Sequence, residues 1–174
     1  VKAYPLPHFS SGRIMEGVRL HVCQKRLSHN PAIAGMKHLN RLEQVIAASE
    51  RPPGWADEGL MLDITGAVIE CTSSNIFILR ENILVTPRLD HCGVDGVMRA
   101  VIMESIAADI PLPVQEARLT LAEIFAADAV FICNSVFGVW PVCSIGVSQI
   151  KVQHAITGKI WQRLNAMGYA RIYG

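Results

Sequence analysis

The sequence has no long hydrophobic run, no block of like charge, and no cysteine or histidine pair at the spacing of a metal or redox motif. Each absence closes off a class of function. The longest apolar stretch, Phe137 to Val147, is broken by Pro141 and falls well short of the ~20 residues that cross a bilayer, so no membrane span is expected. Sixteen Lys and Arg against fifteen Asp and Glu leave a formal charge of +1. The basic residues are scattered without interleaved aromatics, so nucleic acid is not an expected partner. Cys23, Cys71, Cys92, Cys133 and Cys143 are odd in number, far apart and mostly set in apolar segments. Free buried thiols in a reducing cytoplasm are the expectation, not disulfides. With no Cys-x-x-Cys or His-x-x-x-His pair, no metal site is expected. The start, Val-Lys-Ala-Tyr-Pro-Leu-Pro, has neither a Met nor a charged-then-apolar leader and reads as a cut.

What is present is apolar: 51% of the 174 residues are hydrophobic and 18% charged. That suits one domain over residues 1–174 with a real core, and leaves apolar surface for contact with another lobe or subunit. Residues 17–23 alternate apolar and polar and predict a half-buried strand. A loop with Asn30-Pro31 and Gly35 then delivers Lys37. Leu39, Leu42, Val45 and Ile46 recur at helical spacing until Pro52-Pro53-Gly54. From Glu58 to Thr86, short β-rich runs punctuated by Thr65-Gly66 and Glu81-Asn82 predict an antiparallel meander. Cys92 to Gly96 opens a helix expected from about Val97 to Asp109. Strands near Val114–Ala117, Ala129–Cys133 and Val139–Ile145, a short helix over Leu121–Ala127 and a final helix carrying Ile156, Ile160, Leu164 and Met167 complete the chain. Without strict βαβ alternation the expected class is α+β, a mixed, largely antiparallel sheet with packed helices.

Four places carry chemistry-bearing side chains. Lys37 has small and apolar neighbours in Ala34-Gly35-Met36-Lys37, where partial desolvation would suit a Schiff-base or general-base lysine; a solvated surface lysine fits the same letters. Glu70 is a carboxylate inside a segment built for burial, and it either meets a cationic partner or faces water on alternation. Gly93-Val94-Asp95-Gly96 before Val97-Met98-Arg99 suits a phosphate cradle, or an ordinary helix start capped by Asp95. Asn134 and Ser135 end a strand with two hydrogen-bonding side chains, as many strand ends do.

Taken in order, Ala34-Gly35-Met36-Lys37-His38-Leu39-Asn40-Arg41-Leu42-Glu43-Gln44, Glu70-Cys71-Thr72-Ser73-Ser74-Asn75-Ile76-Phe77, Thr86-Pro87-Arg88-Leu89-Asp90 with Gly93 to Arg99, and Ile132-Cys133-Asn134-Ser135 resemble the motifs of the fold-type IV pyridoxal-phosphate enzymes. They look most like the aminodeoxychorismate lyase branch. The resemblance implies the large domain of that fold, with pyridoxal 5′-phosphate on Lys37 and Glu70 at its pyridine nitrogen. It places Val94 against the ring, and the N–H groups of Val97 and Met98 with Asn134 and Ser135 on the phosphate. Ser74 and Asn75 then lie close by. Arg41 stands where some transaminases of the family carry a tyrosine that contacts the ring oxygen. Arg88 and Arg99 are candidates for substrate carboxylates, or for surface salt bridges.

The implied activity is conversion of 4-amino-4-deoxychorismate, a small-molecule substrate, into 4-aminobenzoate and pyruvate. The alternatives are an aminotransferase of D-amino or branched-chain amino acids and a non-catalytic interaction domain with a decayed pocket. The resemblance also implies a homodimer. A smaller N-terminal lobe, which in the family supplies a phosphate-binding arginine and a threonine for proton transfer, has no match here. This stretch alone is therefore expected to fold yet turn over little or nothing.

Overall fold

A computed structural model describes residues 2, 9, 12–106, 109, 110 and 112–169. The strands are β1 (Val18–Val22), β2 (Glu58–Leu62), β3 (Val68–Cys71), β4 (Asn75–Arg80), β5 (Ile83–Pro87), β6 (Val114–Ala117), β7 (Ala129–Asn134), β8 (Gly138–Ile145) and β9 (Ser148–Gln149). They form one sheet in the order β3-β2-β1-β8-β7-β4-β5-β6, with β9 against β8. β1 runs parallel to β2 and β8, and β5 parallel to β6, while the remaining ladders are antiparallel. The class is α+β, as expected. The sheet curls until its ends meet: Val68 in β3 bridges Leu119, just past β6, donating its N–H to the Leu119 carbonyl at 2.8 Å.

Strand alternation then sorts side chains into separate layers. Leu20, Leu60, Val68, Ile76, Ile78, Ile132 and Val142 belong to one cluster drawn from strands all round the curl. Phe77 and Phe131, cross-strand partners with rings 5.2 Å apart, belong to another. Helices cover that second layer. They are α3 (Val97–Val101), continued by a π turn (Ile102–Ile106), and α5 (His154–Ala166), which buries Ile156, Ile160, Trp161 and Leu164. A one-turn α1 (Gly12–Met15), α2 (Leu42–Ser49) and α4 (Leu121–Phe125) are further helices among the described residues. No helix of the described residues is long and apolar enough to cross a membrane.

Two expectations need correction. The run from Glu58 to Thr86 is not one meander but two hairpins, β2–β3 and β4–β5, in different halves of the sheet. The turn between them is tied back to β2: the Thr72 N–H donates to the Gly59 carbonyl at 2.9 Å, and the Thr72 and Ser73 hydroxyls both donate to Glu58. β4 is thereby free to pair with β7. Second, the helix expected to run from about Val97 to Asp109 is interrupted by the π turn after Val101 and is α-helical again at Asp109; residues 107 and 108 lie outside the described residues. The fold also orients α2, whose apolar stripe faces outward. Leu42, Val45 and Ile46 are exposed, as is Leu39 before the helix, while Gln44 and Ala47 are buried.

Candidate functional site

Backbone pairing brings the lysine loop to the glycine loop. Gly35 N–H donates to the Gly93 carbonyl at 3.0 Å, and Asp95 N–H to the Gly35 carbonyl at 2.9 Å. Gly93 is needed for this approach: its φ is +92°, and a Cβ there would lie 2.8 Å from Ile69 Cγ2 and 2.7 Å from Leu89 Cδ2. Gly96 is constrained differently, since its Cβ would collide with Asn75 Oδ1. Asn75, at the head of β4, donates its Nδ2 to the Val94 carbonyl at 2.8 Å. Asn134 links the last segment, donating its Nδ2 to the Ser73 carbonyl at 3.1 Å and accepting from the Val136 and Phe137 N–H groups at 2.9 Å.

These links enclose a cleft of about 340 Å³. Lys37, Glu70, Ser74, Asn75, Val94, Val97, Met98, Asn134 and Ser135, drawn from four separated stretches of sequence, all line it. Lys37 itself is exposed in this chain rather than desolvated by its apolar neighbours, because Met36 and Leu39 are exposed too.

Glu70 is 2% exposed. One oxygen, Oε2, accepts the Val94 N–H at 2.8 Å. The other, Oε1, lies 3.4 Å from Gln44 Nε2 and 3.7 Å from Arg41 Nη2. Burial pushes its carboxyl above the usual range, against the pull of the Val94 N–H, Arg41, Gln44 and Lys37. The alternative of a glutamate facing water is therefore removed. Nearby, the buried Ser74 hydroxyl has no oxygen or nitrogen partner among the described residues and is left with the Cys71 sulfur, a weak acceptor. The N-cap of α3 is Gly96, not Asp95, and no side chain caps it.

Neither arginine singled out for substrate carboxylates lines the cleft. Arg99 is 4% exposed, with Nη1 on Asp95 at 2.7 Å and Nη2 on Glu116 and the Pro87 carbonyl. Its guanidinium knits α3 to β5 and β6. Arg88 is exposed, and its Nε donates to the Glu116 carbonyl at 3.3 Å. Sequence reasoning passed over Gln44 and Glu58. The signal for Glu58 was a carboxylate followed by Gly-Leu-Met-Leu, the same pattern of acid beside apolar residues that marked Glu70.

The absence of a metal-binding spacing also did not carry over into space. His29, Asp63 and Cys92 bring ligand atoms within 4.8 Å of one another, from three separate segments. Their present partners account for the arrangement. Asp63 accepts from the Thr65 N–H and hydroxyl and the Ala67 N–H, and pairs with His29 Nε2 at 2.9 Å. Burial pushes the Cys92 thiol up to about 12.

The family described as amino-transferase class IV matches residues 1–145. The chain is 39% identical over 148 residues to an aminodeoxychorismate lyase of Vibrio harveyi, covering 85% of this chain and 54% of that protein. The crystal structure of a 4-amino-4-deoxychorismate lyase from Pseudomonas aeruginosa superposes with a TM-score of 0.90 at 41% identity, covering 95% of this chain and 60% of that one. A branched-chain amino acid aminotransferase from T.th., complexed with N-(5′-phosphopyridoxyl)-L-glutamate, superposes with a TM-score of 0.77 at 26% identity, covering 90% and 55%. The chain thus spans about half the length of the curated relatives it matches.

Proposed function

The chain belongs to the amino-transferase class IV family, and from that premise we propose that it is the lysine-bearing lobe of a lyase that converts 4-amino-4-deoxychorismate into 4-aminobenzoate and pyruvate. The observation that carries this reading is the convergence of nine residues from four stretches of sequence on one cleft with a buried carboxylate. The choice of lyase rests on the 39% and 41% identities to two such enzymes.

The family's cofactor is pyridoxal 5′-phosphate, and the residues present fit it. A buried Glu70 lacks a full cationic partner, the Ser74 hydroxyl has only the weakly accepting Cys71 sulfur, and the first N–H groups of α3 have no side-chain cap. Bound there, the cofactor supplies an aldehyde that captures amines and a ring that stores an electron pair. Lys37 Nζ would hold it covalently and would take the proton from the amine-bearing carbon of the substrate. Glu70 would face the ring nitrogen, and Asn134, Ser135 and the N–H groups of Val97 and Met98 would hold the phosphate. Breaking the enolpyruvyl ether bond releases pyruvate and leaves an aromatic amine, with no second reactant needed.

In this reading the active species is a cytoplasmic homodimer, and a further lobe of the same protein completes the site. The 174-residue chain alone then has little turnover. The test is to supply the full-length protein with 4-amino-4-deoxychorismate and assay both products; equimolar 4-aminobenzoate and pyruvate are expected. Conversion of the cofactor to its amine form by branched-chain or D-amino acids, without 4-aminobenzoate release, would overturn the lyase reading in favour of an aminotransferase.

A further inference from the structure

With Arg88 and Arg99 turned elsewhere, the cleft lining holds one guanidinium among the described residues, that of Arg41. It is poorly used. Its charge partner, Glu70 Oε1, is 3.7 Å from Nη2, outside hydrogen-bond reach, and the side chain is only 23% exposed. Among the described residues it makes no hydrogen bond, whereas the guanidinium of Arg99 has three acceptors. A guanidinium on a half-buried side chain with its five donors unspent is open to an acceptor brought from outside. Glu70 already takes the Val94 N–H and the Gln44 amide, and Asp95 is spent on Arg99. Arg41 also borders a second cavity of about 400 Å³, on the side of Lys25, His38 and Glu43, so a bound group at this point has room on both sides.

We propose that Arg41 binds a carboxylate of the substrate, presenting one edge of its planar fork to both oxygens, and so selects carboxylated cyclic amines for this cleft. The inference rests on the reading above for the place of the reacting amine.

The test is a matched pair, 4-aminobenzoate against aniline, which differ by one carboxylate. Each is titrated into full-length holoenzyme and followed by the cofactor's absorbance. The wild-type protein is expected to bind the carboxylated member at least tenfold more tightly. Arg41→Met should bring that preference close to unity with cofactor occupancy unchanged, and Arg41→Lys should keep part of it. A preference that survives Arg41→Met, no preference in the wild type, or loss of the cofactor from the variant would overturn the proposal, the last by making Arg41 a prop for Glu70. Because the titration needs no turnover, its outcome is separate from failure of the lyase assay, which would overturn only the reaction.

Discussion

A carboxylate at position 70 sits in a strand with no face open to water, and this sets how the side chain behaves with and without a ligand. In the free protein its pKa is raised above 4.5 by burial, so the folded state holds the proton to higher pH than the unfolded chain does. The stability this contributes is complete below the unfolded value and is lost as pH rises through the raised one. Glu70→Gln removes that dependence. Chemical unfolding of the cofactor-free protein should show the variant gaining on the wild type as pH climbs out of the carboxylate range, and a constant difference would contradict the assignment. Lys37→Ala is expected to abolish both the cofactor's visible band and turnover. Borohydride reduction of the wild-type holoprotein should add the cofactor's mass at Lys37 alone.

At the level of elements, the glycine loop shows how packing serves the site. Gly96→Ala forces Asn75 away from the Val94 carbonyl, because the new methyl occupies the space of Asn75 Oδ1. A loss of about 1–3 kcal/mol is expected from such overpacking. Cofactor affinity, measured by equilibrium dialysis, should fall by tenfold or more. Much of this layer was legible in sequence. Glu81-Asn82 was read as a tight turn, and both residues adopt positive φ, 49° and 63°, as a two-residue hairpin requires. What was not legible depended on contacts made far along the chain. Nothing local says that Thr72 and Ser73 answer to Glu58, and that tie splits the meander. Helical periodicity gave α2 its place but not its orientation, since the buried side belongs to Gln44, whose amide reaches Glu70. Arginines show the same limit: the sequence supplies candidates for a carboxylate, and only the fold decides that Arg99 is consumed by Asp95 and Glu116.

Across the molecule, the curl of the sheet gives the site its rigidity. The bridge between Val68 and Leu119 closes the strand order on itself two residues from Glu70, and Leu119 is fully buried there. The same enclosure governs the five cysteines, all of them free. Cys23, Cys71 and Cys133 have almost no exposed surface. Burial pushes all five thiols up, to about 12 for Cys23 and Cys92. Alkylating reagents attack the thiolate, so in the native protein near neutral pH these side chains are nearly inert. Each becomes reactive only when the strand or loop that hides it opens. A timed pulse of iodoacetamide followed by peptide mapping should therefore act as five built-in clocks, with Cys143, the least enclosed, ticking first and Cys23, Cys71 and Cys133 last.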